Sequence, residues 1–138
     1  MSDTSIRSGG CLCGQVRYTV PEQPLATVVC HCRNCQKQAG SALSTVAVFP
    51  RDGLTLEGSL TVYEDRGTSG QTVFRQFCPR CGSPVLTDTE RAREQGIIFV
   101  KAGTFDDVSD LRPTTHYWAS RAHPWFQFPD GCERVDTE

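Results

Sequence analysis

Clustered positive charge, long apolar runs and an export signal are all missing from this sequence. Its 14 Lys and Arg residues are scattered among 16 Asp and Glu, for a formal net charge of −2, and form no stripe or patch. Nucleic-acid binding is largely phosphate neutralisation, so nucleic acid is not expected as a partner. No apolar run approaches the ~20 residues that cross a bilayer, so no membrane association is expected either. The opening MSDTSIRSGG has neither a basic n-region nor an apolar h-region, and a cytoplasmic location is the expectation. Internal repeats, linkers and low-complexity segments are lacking too. The 138 residues therefore read as one domain, long enough to bury about two thirds of its unfolded surface.

Long amphipathic helices are also absent, and short β-rich runs stand in their place. Residues 15–20 alternate, with Val16, Tyr18 and Val20 on one face, as in a half-buried strand. Further strands are predicted at 25–30, 44–49, 54–56, 60–63, 72–77, 84–87, 97–102 and 116–119. Turns recur about every ten residues, at Pro50 to Gly53 and Gly67 to Gly70 among others. Residues 33–38 suit a turn and a half of helix stopped by Ala39-Gly40, and 91–95 a surface loop or brief helix. Residues 1–10 read as a loose polar lead-in. The pattern is mainly β.

Cysteine is what the chain has in excess, with 8 residues. Without export, CxC and CxxC spacings read as metal ligands rather than disulfides. Cys78-Pro79-Arg80-Cys81-Gly82 is a zinc knuckle, half of a tetrahedron. The close pair Cys11 and Cys13 is the available other half, giving a closed, structural four-thiolate site. The stretch CHCRNC supplies Cys30, Cys32 and Cys35. If a strand runs into it, Cys30 and Cys32 share one face, His31 takes the other, and the helical turn returns Cys35. Three sulfurs with an open fourth position fit a reactive zinc, at a net charge of −1 with all three as thiolates. Alternatively Cys132, His116 or His123 completes a second structural site; Cys132 otherwise reads as a free thiol. Such a centre is a modest Lewis acid but suits holding an incoming thiol as thiolate, and this zinc is expected to be the more labile of the two.

The segments GGCLCGQVRY, CHCRNCQKQAGSALSTVAVFP, FCPRCGSPV and THYWASRAHPWFQFPDG together resemble the glutathione-dependent formaldehyde-activating enzymes, a family that includes centromere protein V. The likeness runs over residues 7–131, leaving 1–6 and 132–138 as terminal extensions. It implies a single zinc-binding domain of small stacked antiparallel sheets (a β-tent). It also implies two zinc ions, one on Cys11, Cys13, Cys78 and Cys81 and one on catalytic Cys30, Cys32 and Cys35. The implied activity is that of a carbon–sulfur lyase, joining glutathione with formaldehyde to or from S-hydroxymethylglutathione.

Around the second site the residues leave alternatives open. Glutathione's two carboxylates call for cationic or N–H donors. Arg33 and Lys37 lie close in sequence, yet both also suit a solvated surface. His31 serves either as a proton shuttle or in a packed, hydrogen-bonded role. His116 and His123, among Tyr117, Trp118, Trp125 and Phe126, form either a pocket wall or ordinary core. A non-catalytic binding or scaffold module, or a thiol-metal sensor, is the competing function. The lack of a basic or disordered extension for chromatin binding favours the enzyme.

Overall fold

Alternating burial along short strands builds two sheets with a core between them. The computed structural model describes residues 5–67 and 70–137. The smaller sheet is antiparallel, in the order β1 (Ile6–Gly10), β2 (Arg17–Pro21), β5 (Thr55–Glu57). The larger has eight strands, in the order β11 (Glu133–Val135), β10 (Thr115–Tyr117), β3 (Ala26–Cys30), β4 (Ser44–Pro50), β9 (Ile97–Lys101), β8 (Pro84–Thr89), β7 (Thr72–Phe77), β6 (Thr61–Arg66). From β3 to β6 every ladder is antiparallel, whereas β10 runs parallel to both β3 and β11. The mainly β, stacked-sheet expectation is met. No helix among the described residues is long and apolar enough to cross a membrane.

The two-residue period decides which side chains meet. Val16, Tyr18 and Val20 face Ala47 and Phe49 of β4 and Ile98 and Val100 of β9 in one buried cluster, closed by Val85, Leu86 and Phe105. Tyr18 keeps its hydroxyl satisfied on Thr104 Oγ1 at 2.6 Å and sets its ring against Phe105. The alternate residues of β3, β4 and β9 point to the opposite face of the large sheet, where a cavity lies.

Several sequence expectations need correction. Residues 6–10 are not a loose lead-in: Ile6–Gly10 pairs along its whole length with β2. Gly9 makes this close pairing practicable, since a Cβ there would lie 2.3 Å from Tyr18 Oη and 2.5 Å from the Thr104 carbonyl oxygen. The strand expected at 116–119 ends at Tyr117, because Trp118 turns the backbone into the left-handed region (φ 53°). Residues 91–95, by contrast, take the brief-helix form, one of the two expected, as α2 (Glu90–Gln95), started by Thr89 Oγ1 accepting from Ala92 N–H. Glu133–Val135, in the stretch read as an extension, forms β11. Thr68 and Ser69, in the expected turn at 67–70, lie outside the described residues.

Asp88 joins β8, α2 and the turn after β4. Its carboxylate is buried and accepts from Arg51 and, at 2.9 Å, from Arg93 Nε. Burial alone would push the carboxyl pKa up, but the two guanidinium hydrogen bonds outweigh it and hold it below the usual carboxylate range. The unfolded chain thus binds this proton at higher pH than the folded one, so stability rises with pH between the two values. Asp88→Asn is expected to cost about 2 kcal/mol at neutral pH, a figure reduced for the part-exposed arginines. The wild-type advantage over the variant should be full above about pH 5 and should fade as pH falls through the carboxylate range. Urea denaturation of both proteins across pH 3–7 measures it.

Candidate metal centres and the adjoining cavity

Two tight turns on different elements create the first cysteine group. Cys78–Gly82 closes with Gly82 N–H donating to the Cys78 carbonyl at 2.9 Å, and Gly82 adopts φ 79°, which a side chain would strain. The loop after β1 brings in Cys11 and Cys13. The four sulfur atoms lie within 4.8 Å of one another. Neighbouring sulfurs sit 3.6 Å (Cys11–Cys13) and 3.8 Å (Cys13–Cys78) apart, the edge length of a tetrahedral tetrathiolate site. Backbone N–H groups of Val16 and Arg80 donate to Cys11 and Cys78. Ser83 pulls the Cys81 thiol down to about 5. Donors of this kind favour thiolate over thiol.

The second group forms where β3 runs into α1 (Arg33–Ala39). Cys32 caps this helix, its sulfur accepting from Cys35 N–H at 3.3 Å. The helix turn swings Cys35 back, and the sulfurs of Cys30, Cys32 and Cys35 lie within 4.8 Å of one another. So close together, three thiols share their protons unequally: hydrogen bonding within the group pulls Cys32 down and pushes Cys30 up. A cation among them would let all three ionise, so both groups could hold a metal ion.

Unlike the first group, this one opens into a cavity of about 370 Å³ on the outer face of the large sheet. Val28, Val46, Val48, Val73 and Phe99 form much of its lining, and Tyr117 and Trp118 stand beside the cysteines. Trp118 is the residue that leaves β10 through the left-handed region. Its N–H donates to the Thr137 carbonyl at 3.4 Å, and the Arg121 guanidinium lies 5.6 Å from its ring centre.

Two buried cations adjoin the triad, and sequence reasoning missed both. Arg75 of β7 is 3% exposed; it donates from Nε to Asp65 at 2.9 Å and brings Nη1 to 3.9 Å from Cys35 Sγ. Lys101, at the end of β9, is also buried and donates from Nζ to Ser44 Oγ at 2.5 Å. Burial lowers the Lys101 pKa, against the attraction of nearby Cys35. Ser44 is the direct cross-strand partner of Cys30 and lines the cavity. A signal existed: Arg75 shares a strand face with Val73, and Lys101 ends the apolar run IIFV, where a solvated charge is out of place.

The residues suspected from proximity in sequence lie elsewhere. Arg33 and Lys37 are exposed on α1 and line no part of the cavity. His31 and His116 are fully buried and share a 2.8 Å hydrogen bond, Nε2 to Nδ1, in a cage with Phe126 and Phe128. Burial and the neighbouring His116 lower the His31 pKa to about 4. His123 pairs with Gln36 Oε1 at 3.0 Å and stacks on Trp125. Gln36 also donates to the His31 carbonyl at 2.7 Å, so the histidines brace the triad from behind. Cys132 belongs to neither cysteine group.

Fold and site together define a β-sheet protein with two cysteine groups able to hold metal, one closed and one facing a cavity. The family model described as glutathione-dependent formaldehyde-activating enzyme matches residues 6–121, and the chain belongs to that family. A crystal structure of a Rhodobacter sphaeroides protein shares the fold, with TM-score 0.57 and 23% identity over 75% of this chain and 91% of that one. No curated protein matches the chain.

Arg75→Met should remove the buried guanidinium that Asp65 and Cys35 share, for a loss of roughly 2–3 kcal/mol at neutral pH. Arg75→Lys should recover only part, because one ammonium cannot serve both partners as a planar fork does. Urea midpoints of the three proteins check both.

Proposed function

We propose that the chain is a zinc-dependent carbon–sulfur lyase that joins glutathione to formaldehyde, reversibly, as S-hydroxymethylglutathione. In this reading Cys11, Cys13, Cys78 and Cys81 hold a structural zinc, and Cys30, Cys32 and Cys35 a reactive one. The observation that carries it is the contrast between the groups: four sulfurs close on themselves, while three converge at the end of a cavity. A zinc on three thiolates supplies a site that takes an incoming thiol as its thiolate.

The protein's own groups then have defined tasks. Addition forms one carbon–sulfur bond, opens the carbonyl π bond and moves one proton from sulfur to oxygen, so no oxidant or reductant is needed. Ser44 gives a hydrogen bond to the oxygen that gains charge. Its support is its position across the ladder from Cys30 and the Lys101 ammonium behind it. Arg75 and Lys101 balance the negative charge of the cysteine triad through low-dielectric surroundings. Val28, Val46 and Phe99 keep water from the carbonyl. A reducing cytoplasm suits the eight free thiols.

The test combines zinc content with turnover of glutathione and formaldehyde. Two zincs per chain are expected in the wild type. Cys30→Ser, Cys32→Ser and Cys35→Ser should each stay folded, lose zinc from one site and lose turnover. Cys78→Ser should lower the melting temperature sharply, because metal binding and folding are coupled at a closed site. Two inert zincs without turnover above the uncatalysed rate would favour a scaffold module, and a readily exchanged zinc without turnover a sensor. Separately, Ser44→Ala should keep both zincs and lower kcat by about 10²-fold. An unchanged kcat would remove Ser44 from the mechanism.

A further inference from the structure

The cavity is longer and more apolar than a one-carbon carbonyl requires. β3 runs four residues from Cys30 at one end to Ala26 at the other, a span of ~13 Å. Between them the floor is set by the sheet register: Val28 lies opposite Val46, and Val48 opposite Phe99. Val73, across β8 on β7, is 6% exposed and also lines the cavity. On β4 and β9 the side chains of the other face form the core, so this row is a second apolar surface that the fold leaves open to the cavity.

The β3–β4 side of the cavity is apolar apart from the cysteines and Ser44, and most of the polar lining comes from the opposite side, from Gln71, Arg75, Thr87, Thr89, Arg91 and Gln95 around β7, β8 and α2. No Asp or Glu lines the cavity among the described residues, and its guanidiniums are those of Arg75 and Arg91. Arg75 is engaged by Asp65 and Cys35, while Arg91 lies on exposed α2 at the end far from the cysteines. Glutathione lying over β3 and β4 would set its ammonium and at least one carboxylate against Val28, Val46 and Val48, a costly burial. One formaldehyde carbon would leave most of the 370 Å³ unfilled. Both mismatches disappear if the space beside the reacting bond holds hydrocarbon.

We propose that the substrate of this chain carries an apolar chain of roughly six carbons next to the carbon–sulfur bond made at Cys30, Cys32 and Cys35, lying over Val28, Val46 and Phe99. The inference rests on the lyase reading of the triad and extends its substrates from formaldehyde to a longer aldehyde, or from glutathione to a hydrophobic thiol. The bond changes are the same: a carbon–sulfur bond forms, the carbonyl π bond opens, and the thiol proton ends on oxygen.

Calorimetric binding to the zinc-loaded protein tests it with two series of probes. S-methyl-, S-butyl- and S-hexylglutathione place the chain on the carbonyl side; methane-, butane- and hexanethiol place it on the thiol side. In at least one series Kd should fall about 3–4-fold per added methylene, as apolar burial requires. The series that responds identifies the side. Val28→Phe, checked for an unchanged melting temperature, should abolish the gain from butyl to hexyl. If Val28→Phe unfolds, Val46→Thr should reduce the same gain. Flat affinity across both wild-type series overturns the proposal. Formaldehyde turnover measured alongside separates the readings: turnover with flat affinities keeps the formaldehyde activity and sinks the apolar substrate. Rising affinities without turnover of formaldehyde or hexanal sink the lyase reading and retain an apolar ligand.

Discussion

Sulfur crowding is the constraint on which the rest of this structure depends. Seven of the eight cysteines are drawn into two groups whose sulfur atoms lie within 4.8 Å of one another. At that spacing thiolates repel strongly, so each group needs positive charge from somewhere. Around the first group it comes as partial charge, from backbone N–H donors and the Ser83 hydroxyl, on turns open to solvent. Around the second it comes as whole charges, with Arg75 and Lys101 taken out of water on β7 and β9, either side of β8. Burying two cations is expensive unless they face negative charge. Arg75 has Asp65 to face as well as Cys35, while for Lys101 the negative charge nearby is that of the triad.

The same strands serve two purposes because a sheet has two faces. On β4, Ala47 and Phe49 belong to the core while Ser44, Val46 and Val48 line the cavity. The core thus positions the site without any dedicated loop to do so. Cys30 is held opposite Ser44 by ladder hydrogen bonds and Cys32 by its role as a helix cap, so both donors are set by backbone geometry. Rigid elements keep such a constellation in place more reliably than loops do.

Much of this could be read from the residues. The mainly β character followed from period-two runs such as 15–20 and 72–77, and the triad from a strand running into a helical turn. What stayed hidden has a common physical cause, namely pairing between distant parts of the chain. β1 looked like polar lead-in because a strand of Ile, Arg, Ser and two glycines carries almost no apolar signal; its order comes from β2. Arg75 and Lys101 lie 40 and 66 residues beyond Cys35, so proximity in sequence pointed instead to Arg33 and Lys37, which stay in solvent. The histidines read as candidates for chemistry because histidine so often performs it, yet His31 and His116 bond to each other inside an aromatic cage, each with its second ring nitrogen buried and unpartnered among the described residues. Zinc itself, and the reaction at it, rest on the chemistry of the donor set and on family membership.

The parallel ladders of β10 carry a consequence for how the molecule assembles. Thr115–Tyr117 docks beside Ala26–Cys30, nearly ninety residues upstream, and Glu133–Val135 docks in turn on β10. Contacts between such distant residues form slowly, because the intervening loop must be closed before they reward it. During synthesis the triad cysteines leave the ribosome early, whereas Tyr117 and Trp118 follow some eighty residues later. For that interval the nascent chain carries reactive thiols without their wall. Early metal capture by Cys30, Cys32 and Cys35 would therefore protect the chain from oxidation before there is a cavity to work in.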